Sequence, residues 1–271
     1  MSHEIHIAAA LCRHDPRLVI VGLSAARLLG VPMPHHLESW TPQMPVEVAT
    51  SGARGRSDGV VRWHDLSLSA GDIQRAEYLH TASGRTSPLP MTSRARTWRD
   101  LAAHLGPTAL VAVGDHLLRI PRPRFEGRDE PWCTRADLLA VATGRHSRAL
   151  QAAIRHMRVG ADSPKETELR LAFLSAGLPE PEINRPLLGP DGVARHEPDF
   201  QWREFSVCAE YEGAVHNDPE QIQRDIRRAR AARAAGFLEI RLHKEDLRRG
   251  CAPAVSAVRN ELRARGWRPP S

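Results

Sequence analysis

The 271-residue sequence has no run approaching the ~20 consecutive apolar residues of a membrane-spanning helix. Its first residues also lack the basic region and apolar run of a secretory signal, so we expect a cytoplasmic protein with no membrane partner. The four cysteines are far apart and form no Cys-x-x-Cys pair, which argues against a paired-cysteine zinc site and predicts reduced thiols. Neither a glycine-rich phosphate loop nor a nucleophile-elbow motif is present, so kinase and serine-hydrolase functions have no support.

Lysine is nearly absent from the chain. Lys165 and Lys244 are the only two, so 36 of the 38 basic residues are arginine. The formal net charge of +6 favours an acidic partner, of which nucleic acid is the commonest, although GC-rich codon usage would also produce an excess of arginine. Aromatic residues make up only 5% of the chain, so leucine, valine and alanine must form most of the core.

The length predicts two domains, because 271 residues exceed the roughly 150 residues of a typical domain. Gly160 and Pro164 interrupt the helical pattern, and a capping box begins at Ser163, so we place the domains at residues 1–158 and 159–271. The first domain mixes short strands and helices and is predicted to be α+β. The second runs in the order helix, three strands, helix, strand, helix, which is typical of an α/β domain whose mixed central sheet is flanked by helices.

Capping residues and apolar periodicity predict the individual elements. In the first domain we expect strands at 46–50 and 59–64, and helices that begin at Ser24, at Thr92 or Ser93, at Thr134 and near Ser147. In the second domain we expect helices at 164–176, 219–235 and 253–265, and strands at 183–187, 198–202, 205–211 and 237–242. These elements carry the charged residues on which a functional interpretation depends.

Three acidic residues of the second domain form a spaced motif. Asp199 follows Pro198, and after ten intervening residues Glu210 and Glu212 lie on an apolar strand. A tight turn joins the two strands, so Asp199 can face Glu210, and Glu212 shares the face of Glu210 because strand side chains alternate. Convergent carboxylates at strand ends favour Mg²⁺ or Mn²⁺, which can activate water and offset the charge on a phosphate oxygen.

Further residues could complete this site. Glu166 or Glu168 could supply a fourth carboxylate from the preceding helix. His216 could orient a water or protonate a leaving group. Histidines are also common in ordinary loops, and surface strands carry acidic residues for solubility. Glu210, however, follows an apolar run, where an unpaired carboxylate is costly unless it meets a cation.

The helix at 219–235 carries a candidate nucleic-acid-binding face. Four arginines share a broad side of this helix: Arg224, Arg227, Arg228 and Arg230. A row of arginines can follow a phosphate backbone, and the same pattern is typical of a solvated helix face in an arginine-rich protein.

Together these motifs resemble the Vsr-like (very-short-patch-repair-like) endonuclease domain of the PD-(D/E)xK superfamily. The matching segments cover about residues 160–250 and are Ser163-Pro-Lys-Glu166, His196-Glu-Pro-Asp-Phe200, Glu210-Tyr-Glu-Gly-Ala-Val-His216, Arg224-Asp225 and Ala234-Ala-Gly-Phe-Leu-Glu-Ile-Arg241. The resemblance implies a restriction-endonuclease-like fold and Mg²⁺- or Mn²⁺-dependent cleavage of DNA phosphodiester bonds, with Asp199, Glu210 and Glu212 as metal ligands. The superfamily lysine that helps polarise the attacking water is absent, and Glu212 stands in its place.

The first domain resembles the AbiEi-type antitoxin or transcriptional-regulator domain over about residues 5–150. The matching segments are Leu23-Ser-Ala-Ala-Arg-Leu-Leu-Gly30, Met91-Thr-Ser-Arg-Ala-Arg-Thr-Trp-Arg-Asp-Leu-Ala102 and Gly114-Asp-His-Leu-Leu-Arg119. This resemblance implies a defence or toxin–antitoxin context and a protein partner for the first domain.

Two functions therefore fit the sequence. The first is a metal-dependent DNA endonuclease. The second is a non-catalytic DNA- or protein-binding regulator, or antitoxin, that carries a degenerate nuclease fold. The two hypotheses require different geometries, because converging carboxylates around an open cleft favour the nuclease, whereas a Glu212 capped by an arginine favours the regulator.

Overall fold

The computed structural model describes residues 3–50, 55–80, 84–122, 126–189, 191–213 and 219–269, without the side chains at 80, 85, 195 and 219–226. The chain divides into two compact units, Met1–Met157 and Arg158–Ser271. Each unit combines helices with a mixed β-sheet, so the protein is a mixed α/β protein. Among the described helices, none combines the length and the hydrophobicity that a bilayer crossing requires. All four cysteines are buried and free.

The first unit is built around a five-stranded sheet. Its strands are β1 Leu18–Ile20, β2 Val46–Thr50, β3 Val61–Trp63, β4 Ile73–His80 and β5 Arg85–Thr92. Its helices are α1 His3–His14, α2 Gly22–Leu28, α3 His35–Glu38, α4 Arg94–Leu101, α5 Pro107–Leu118, α6 Arg135–Val141 and α7 Ser147–His156. The strand order is β3-β2-β1-β5-β4. The β1 strand pairs with β5 in parallel and with β2 antiparallel, so the sheet is mixed.

Helix capping in the first unit follows the sequence at two positions and departs from it at a third. Ser93 and Thr134 cap α4 and α6 by accepting hydrogen bonds from backbone N–H groups of the first turn, as predicted. The prediction that Ser24 begins a helix is wrong, because Ser24 lies inside α2 and its Oγ accepts a hydrogen bond from the N–H of Glu47 at 3.0 Å. The Glu47 carboxylate accepts from the N–H of Leu23 at 2.8 Å, so a strand residue caps this helix.

The hairpin of β4 and β5 was not predicted. Two prolines, Pro88 and Pro90, lie in β5 and argue against a central strand. The sheet accommodates them because β5 meets β1 only at the pair Ile20–Met91, whereas β4 pairs with β5 along eight residues. The prolines therefore lie where β5 has a partner on one side.

The second unit contains a four-stranded sheet and a separate two-stranded pair. Its helices are α8 Pro164–Ser175, α9 Pro219–Ala234 and α10 Arg248–Ala264, and its strands are β6 Glu182–Ile183, β7 Leu187–Leu188, β8 Ala194–His196, β9 Phe200–Trp202, β10 Val207–Glu212 and β11 Leu238–His243. The sheet order is β11-β10-β9-β6. The β10 strand is parallel to β11 and antiparallel to β9, and β7 pairs with β8. These observations confirm a mixed sheet flanked by helices.

The two faces of β10 explain how the second unit packs. Val207 and Ala209 join Phe173 of α8 and residues of α10 in one core cluster. Cys208 points to the opposite face, where it packs against Ala232 of α9. The sheet therefore has α8 and α10 on one face and α9 on the other, and strand alternation places Glu210 and Glu212 on the α9 face.

Several elements of the second unit differ from the predicted ones. The predicted strand at 183–187 is two short strands, β6 and β7, and β8 was not predicted at all. Residues 203–205 form a 3-10 turn that ends at Ser206 with a left-handed φ of 51°, so β10 begins two residues later than expected. The last helix begins at Arg248 and includes three residues with positive φ before its regular part.

Candidate functional site

The N-terminus of α8 places Glu166 in the interior of the second unit. Ser163 caps the helix, because its Oγ accepts a hydrogen bond from the N–H of Glu166 at 3.2 Å. The buried Glu166 carboxylate accepts from the N–H of Asp162 and from the side chain of Asn184, both at 2.9 Å. Burial outweighs these hydrogen bonds and raises the pKa of Glu166. Glu168, the other candidate on this helix, pairs instead with Lys165 at 2.8 Å.

Asp199 lies one residue before β9 and beside β10. The register pairs Phe200 with Ala209, so Asp199 comes opposite Glu210, as the tight connection between the strands predicts. Its Oδ2 accepts a hydrogen bond from the backbone N–H of Tyr211 at 2.7 Å. The backbone of Tyr211 therefore holds the carboxylate of Asp199 against β10.

The charges of Glu166 and Glu210 both act on Asp199, and we call these three residues the carboxylate cluster; their oxygens do not all lie within 4.8 Å of one another. Burial is the main cause that raises the pKa of Asp199 to about 7, and the negative charge of Glu166 is the next. Glu210 and Asp162 raise this pKa further, against the hydrogen bond to the backbone. Within the described residues, neither Glu166 nor Asp199 has an ion pair with an arginine or a lysine. The cluster thus concentrates negative charge that a cation would offset.

Glu210 and Glu212 share one face of β10, but each contacts an arginine. Arg228 of α9 forms an ion pair with Oε1 of Glu210. Arg241 of β11 donates a hydrogen bond to Oε1 of Glu212 at 2.7 Å, and Nδ1 of His243 lies 3.6 Å from the other oxygen. Glu212 is therefore capped by basic side chains of the neighbouring strand.

The predicted ligand set of Asp199, Glu210 and Glu212 is not gathered at one point. In the part of the chain that the structure describes, one group of three histidine, cysteine or acidic side chains has its ligand atoms within 4.8 Å of one another, and that group is His196, Glu210 and Glu239. The physical reason is the parallel pairing of β10 with β11, which brings a guanidinium to Glu212.

His196, Glu210 and Glu239 come from three strands, β8, β10 and β11. Nε2 of His196 lies 2.8 Å from Oε2 of Glu210 and 3.8 Å from Oε1 of Glu239. The atoms are close, but each of the three is buried and lacks a hydrogen-bond partner. Neither His196 nor Glu239 is among the site residues predicted from the sequence. One signal in the sequence pointed to Glu239. It lies within the apolar sequence of β11, where an unpaired carboxylate is costly, as it is for Glu210.

The two glutamates of this group differ electrostatically. Burial raises the pKa of Glu210, but the contact with His196 and the charge of Arg228 outweigh it, so the pKa is lowered overall. The pKa of Glu239 is raised, because burial and the charge of Glu210 exceed the influence of Arg241. The group therefore holds one carboxylate that ionises readily and one that resists ionisation.

The α9 helix presents arginines to solvent, as both interpretations of its sequence require. Arg227, Arg228 and Arg230 are exposed. Arg228 also pairs with Glu210, so it has a role inside the unit as well as at the surface. The side chain of Arg224 and the whole of His216 lie outside the described residues.

The chain is similar to two proteins of Mycobacterium tuberculosis. It is 30% identical over 176 residues to uncharacterized protein MT2308 of strain CDC 1551 / Oshkosh. It is equally similar to uncharacterized protein Rv2248 of strain ATCC 25618 / H37Rv. Each match covers 63% of this chain and 59% of the relative, so the chain spans less than two thirds of the relatives' length. No family model and no solved structure matches the chain.

Proposed function

We propose that the second unit is a divalent-metal-dependent endonuclease domain that hydrolyses DNA phosphodiester bonds. The observation that carries this proposal is the carboxylate cluster, in which Asp199 and Glu166 have no basic partner among the described residues and the pKa of Asp199 is raised to about 7. Like charges held together away from water are costly unless a cation offsets them. The mixed sheet flanked by helices supports the restriction-endonuclease-like fold that the sequence resemblance implies.

Each residue of the cluster has a defined role in this proposal. Glu166, Asp199 and Glu210 would hold Mg²⁺ or Mn²⁺ after a side-chain movement that brings their oxygens together, because these ions prefer hard oxygen ligands. The ion would activate a water and offset the charge that develops on the phosphate. The N–H of Tyr211 orients the carboxylate of Asp199, and the side chain of Asn184 orients that of Glu166.

The substrate contacts would come from the neighbouring helix and loop. Arg227 and Arg230 are exposed on α9 and would bind backbone phosphates through their guanidinium groups. Arg224 and His216, which the sequence analysis assigned to DNA contact and proton transfer, keep those roles as predictions. The AbiEi-like interpretation of the first unit also stays a prediction.

A plasmid-nicking assay on the full chain tests the proposal. It compares the wild type in Mg²⁺ or Mn²⁺ with Asp199→Asn and Glu166→Gln, and uses the exposed Glu204→Gln as a matched control. We expect metal-dependent nicking by the wild type and the control. The two cluster variants should lose about 100-fold or more, the size of effect seen when an electrostatic contact to a transition state is removed. Absence of metal-dependent cleavage, or unchanged cleavage by Asp199→Asn, would overturn the proposal.

A second candidate is a non-catalytic DNA- or protein-binding regulator, and the pairing of Glu212 with Arg241 favours it. An arginine on this glutamate neutralises a charge that an active metal site would use, and Arg228 does the same for Glu210. A regulator would bind DNA with an affinity that falls steeply between about 50 and 200 mM salt. Fluorescence anisotropy should then show weaker binding for Arg227→Ala and unchanged binding for Asp199→Asn.

A further inference from the structure

The α9 face of the sheet carries a group of three side chains that lie close together: His196, Glu210 and Glu239. The function proposed above does not use this group as a whole. We propose that these three side chains form a binding site for a divalent transition metal, with Zn²⁺ as the ion that their chemistry suits best. The site shares Glu210 with the carboxylate cluster but takes its other two ligands from β8 and β11. It does not depend on nuclease activity.

The first argument is that none of the three ligand atoms has a hydrogen bond of good geometry, although Nε2 of His196 lies 2.8 Å from Oε2 of Glu210. The side chains of His196, Glu210 and Glu239 are 6%, 11% and 8% exposed. Nε2 of His196, Oε2 of Glu210 and Oε1 of Glu239 are buried and have no hydrogen-bond partner. Buried polar atoms without partners are uncommon in folded proteins, and here three of them point at one another.

The second argument is that the remaining carboxylate oxygen of Glu210 and of Glu239 already has an arginine as a partner. Arg228 pairs with Oε1 of Glu210, and Nη2 of Arg241 lies 3.8 Å from Oε2 of Glu239. Each glutamate thus gives one oxygen to an arginine and turns the other towards His196. Metal sites commonly fix their ligands in this way, through partners on the atoms that do not touch the metal.

The distances are close to those of a zinc site. Ligand atoms at ~2.0–2.2 Å from a tetrahedral Zn²⁺ stand about 3.3–3.6 Å apart. Here Nε2 of His196 lies 2.8 and 3.8 Å from the two carboxylate oxygens, and all three atoms lie within 4.8 Å of one another. Small side-chain movements would therefore suffice. An imidazole nitrogen with two carboxylates suits Zn²⁺ better than Mg²⁺ or Ca²⁺, and three protein ligands leave one position for water.

One other arrangement would explain the same three contacts. This is an ion-paired triad, in which Nε2 of His196 pairs with both carboxylates. The two explanations differ in Zn²⁺ binding. The metal site takes up one Zn²⁺ per chain through all three side chains, whereas the ion-paired triad takes up none.

A Zn²⁺-binding assay on the metal-stripped full chain tests the proposal. The assay measures competition with a chromophoric chelator. The site variants are His196→Asn and the isosteric Glu239→Gln. The matched control is His243→Asn, which removes a histidine from the sheet that carries Glu210 and Glu239 and which lies near Glu212. We expect one Zn²⁺ per wild-type chain, at least ~10-fold weaker binding in both site variants, and unchanged binding in the control. Excess Mg²⁺ should not displace the Zn²⁺.

Thermal unfolding provides a second readout that does not require the variants to bind metal. Zn²⁺ should raise the unfolding midpoint of the wild type above its value in a chelator, and this rise should be absent in Glu239→Gln. No Zn²⁺ uptake by the wild type, or uptake that both site variants retain, would overturn the proposal in favour of the ion-paired triad. Zn²⁺ binding lost in Asp199→Asn would also overturn it, because the ion would then lie in the carboxylate cluster. A failure of the nicking assay leaves this measurement untouched.

Discussion

Asp199 and Tyr211 are joined across two antiparallel strands, because Oδ2 of Asp199 accepts a hydrogen bond from the backbone N–H of Tyr211 at 2.7 Å. The bond fixes the carboxylate against β10 but does not neutralise it. Burial and the charge of Glu166 raise the pKa of Asp199 to about 7, so this position disfavours a negative charge.

The pH dependence of stability should reveal the charge on Asp199. An aspartate in the unfolded chain titrates near pH 3.9, so between pH ~4 and 7 the folded protein keeps a proton that the unfolded chain has lost. The stability from this group is therefore complete below pH ~4 and is lost as the pH rises through 7. Asp199→Asn removes the titration, and we expect its free energy of unfolding to rise by about 2 kcal/mol relative to the wild type between pH 5 and pH 8. Urea denaturation in a chelator measures this, and a difference independent of pH would contradict it.

Glu212 should contribute little to metal binding. Its Oε1 already accepts a hydrogen bond from Arg241 at 2.7 Å, and its other oxygen lies 3.6 Å from the ring of His243. We expect Glu212→Gln to keep Mn²⁺ affinity within about 3-fold of the wild type, whereas Asp199→Asn should weaken it at least ~10-fold. Calorimetric titration with Mn²⁺ compares the two. Equal losses would show that Glu212 is a ligand, as the sequence resemblance implies.

Asn184 should be required for the position of Glu166. Its side chain donates to Glu166 at 2.9 Å and to the carbonyl of Gly160 at 2.6 Å, and its backbone has a left-handed φ of 46°. Asn184→Ala loses both hydrogen bonds and strains the backbone, so we expect a loss of about 3 kcal/mol in the free energy of unfolding. Asn184→Gly keeps the backbone conformation and should lose only about 1–2 kcal/mol. If the two variants lose the same free energy of unfolding, the left-handed backbone conformation contributes nothing to stability at this position.

The first unit depends on an ion pair between Glu4 of α1 and Arg27 of α2. The Glu4 side chain is fully buried and Arg27 is 8% exposed, and two hydrogen bonds of 2.7 and 2.8 Å join them. Arg27→Leu leaves a buried charge without its partner and should cost about 3–5 kcal/mol. Replacing both residues by leucine should cost less than Arg27→Leu alone, which a double-mutant cycle of unfolding free energies would show. A double variant as unstable as the sum of the two single variants would exclude this coupling.

Local signals in the sequence were sufficient for several elements. Ser93, Thr134 and Ser163 each cap the helix they were expected to begin, because an N-cap interaction joins residues only three positions apart. The same local reasoning failed at Ser24, where the residue that caps the helix comes from a distant strand. It also failed for β5, since its prolines are compatible with a strand only when the neighbouring pairing is known.

The sequence by itself determined which residues carry negative charge and which face of β10 they share, because side-chain alternation is a property of the strand alone. Only the tertiary structure decided what those charges meet. The parallel pairing of β10 with β11 gives Glu212 an arginine, and the approach of β8 brings His196 to Glu210 and Glu239. Contacts of this kind join residues that are far apart in sequence, and their energies depend on which groups are buried together, which no local pattern records.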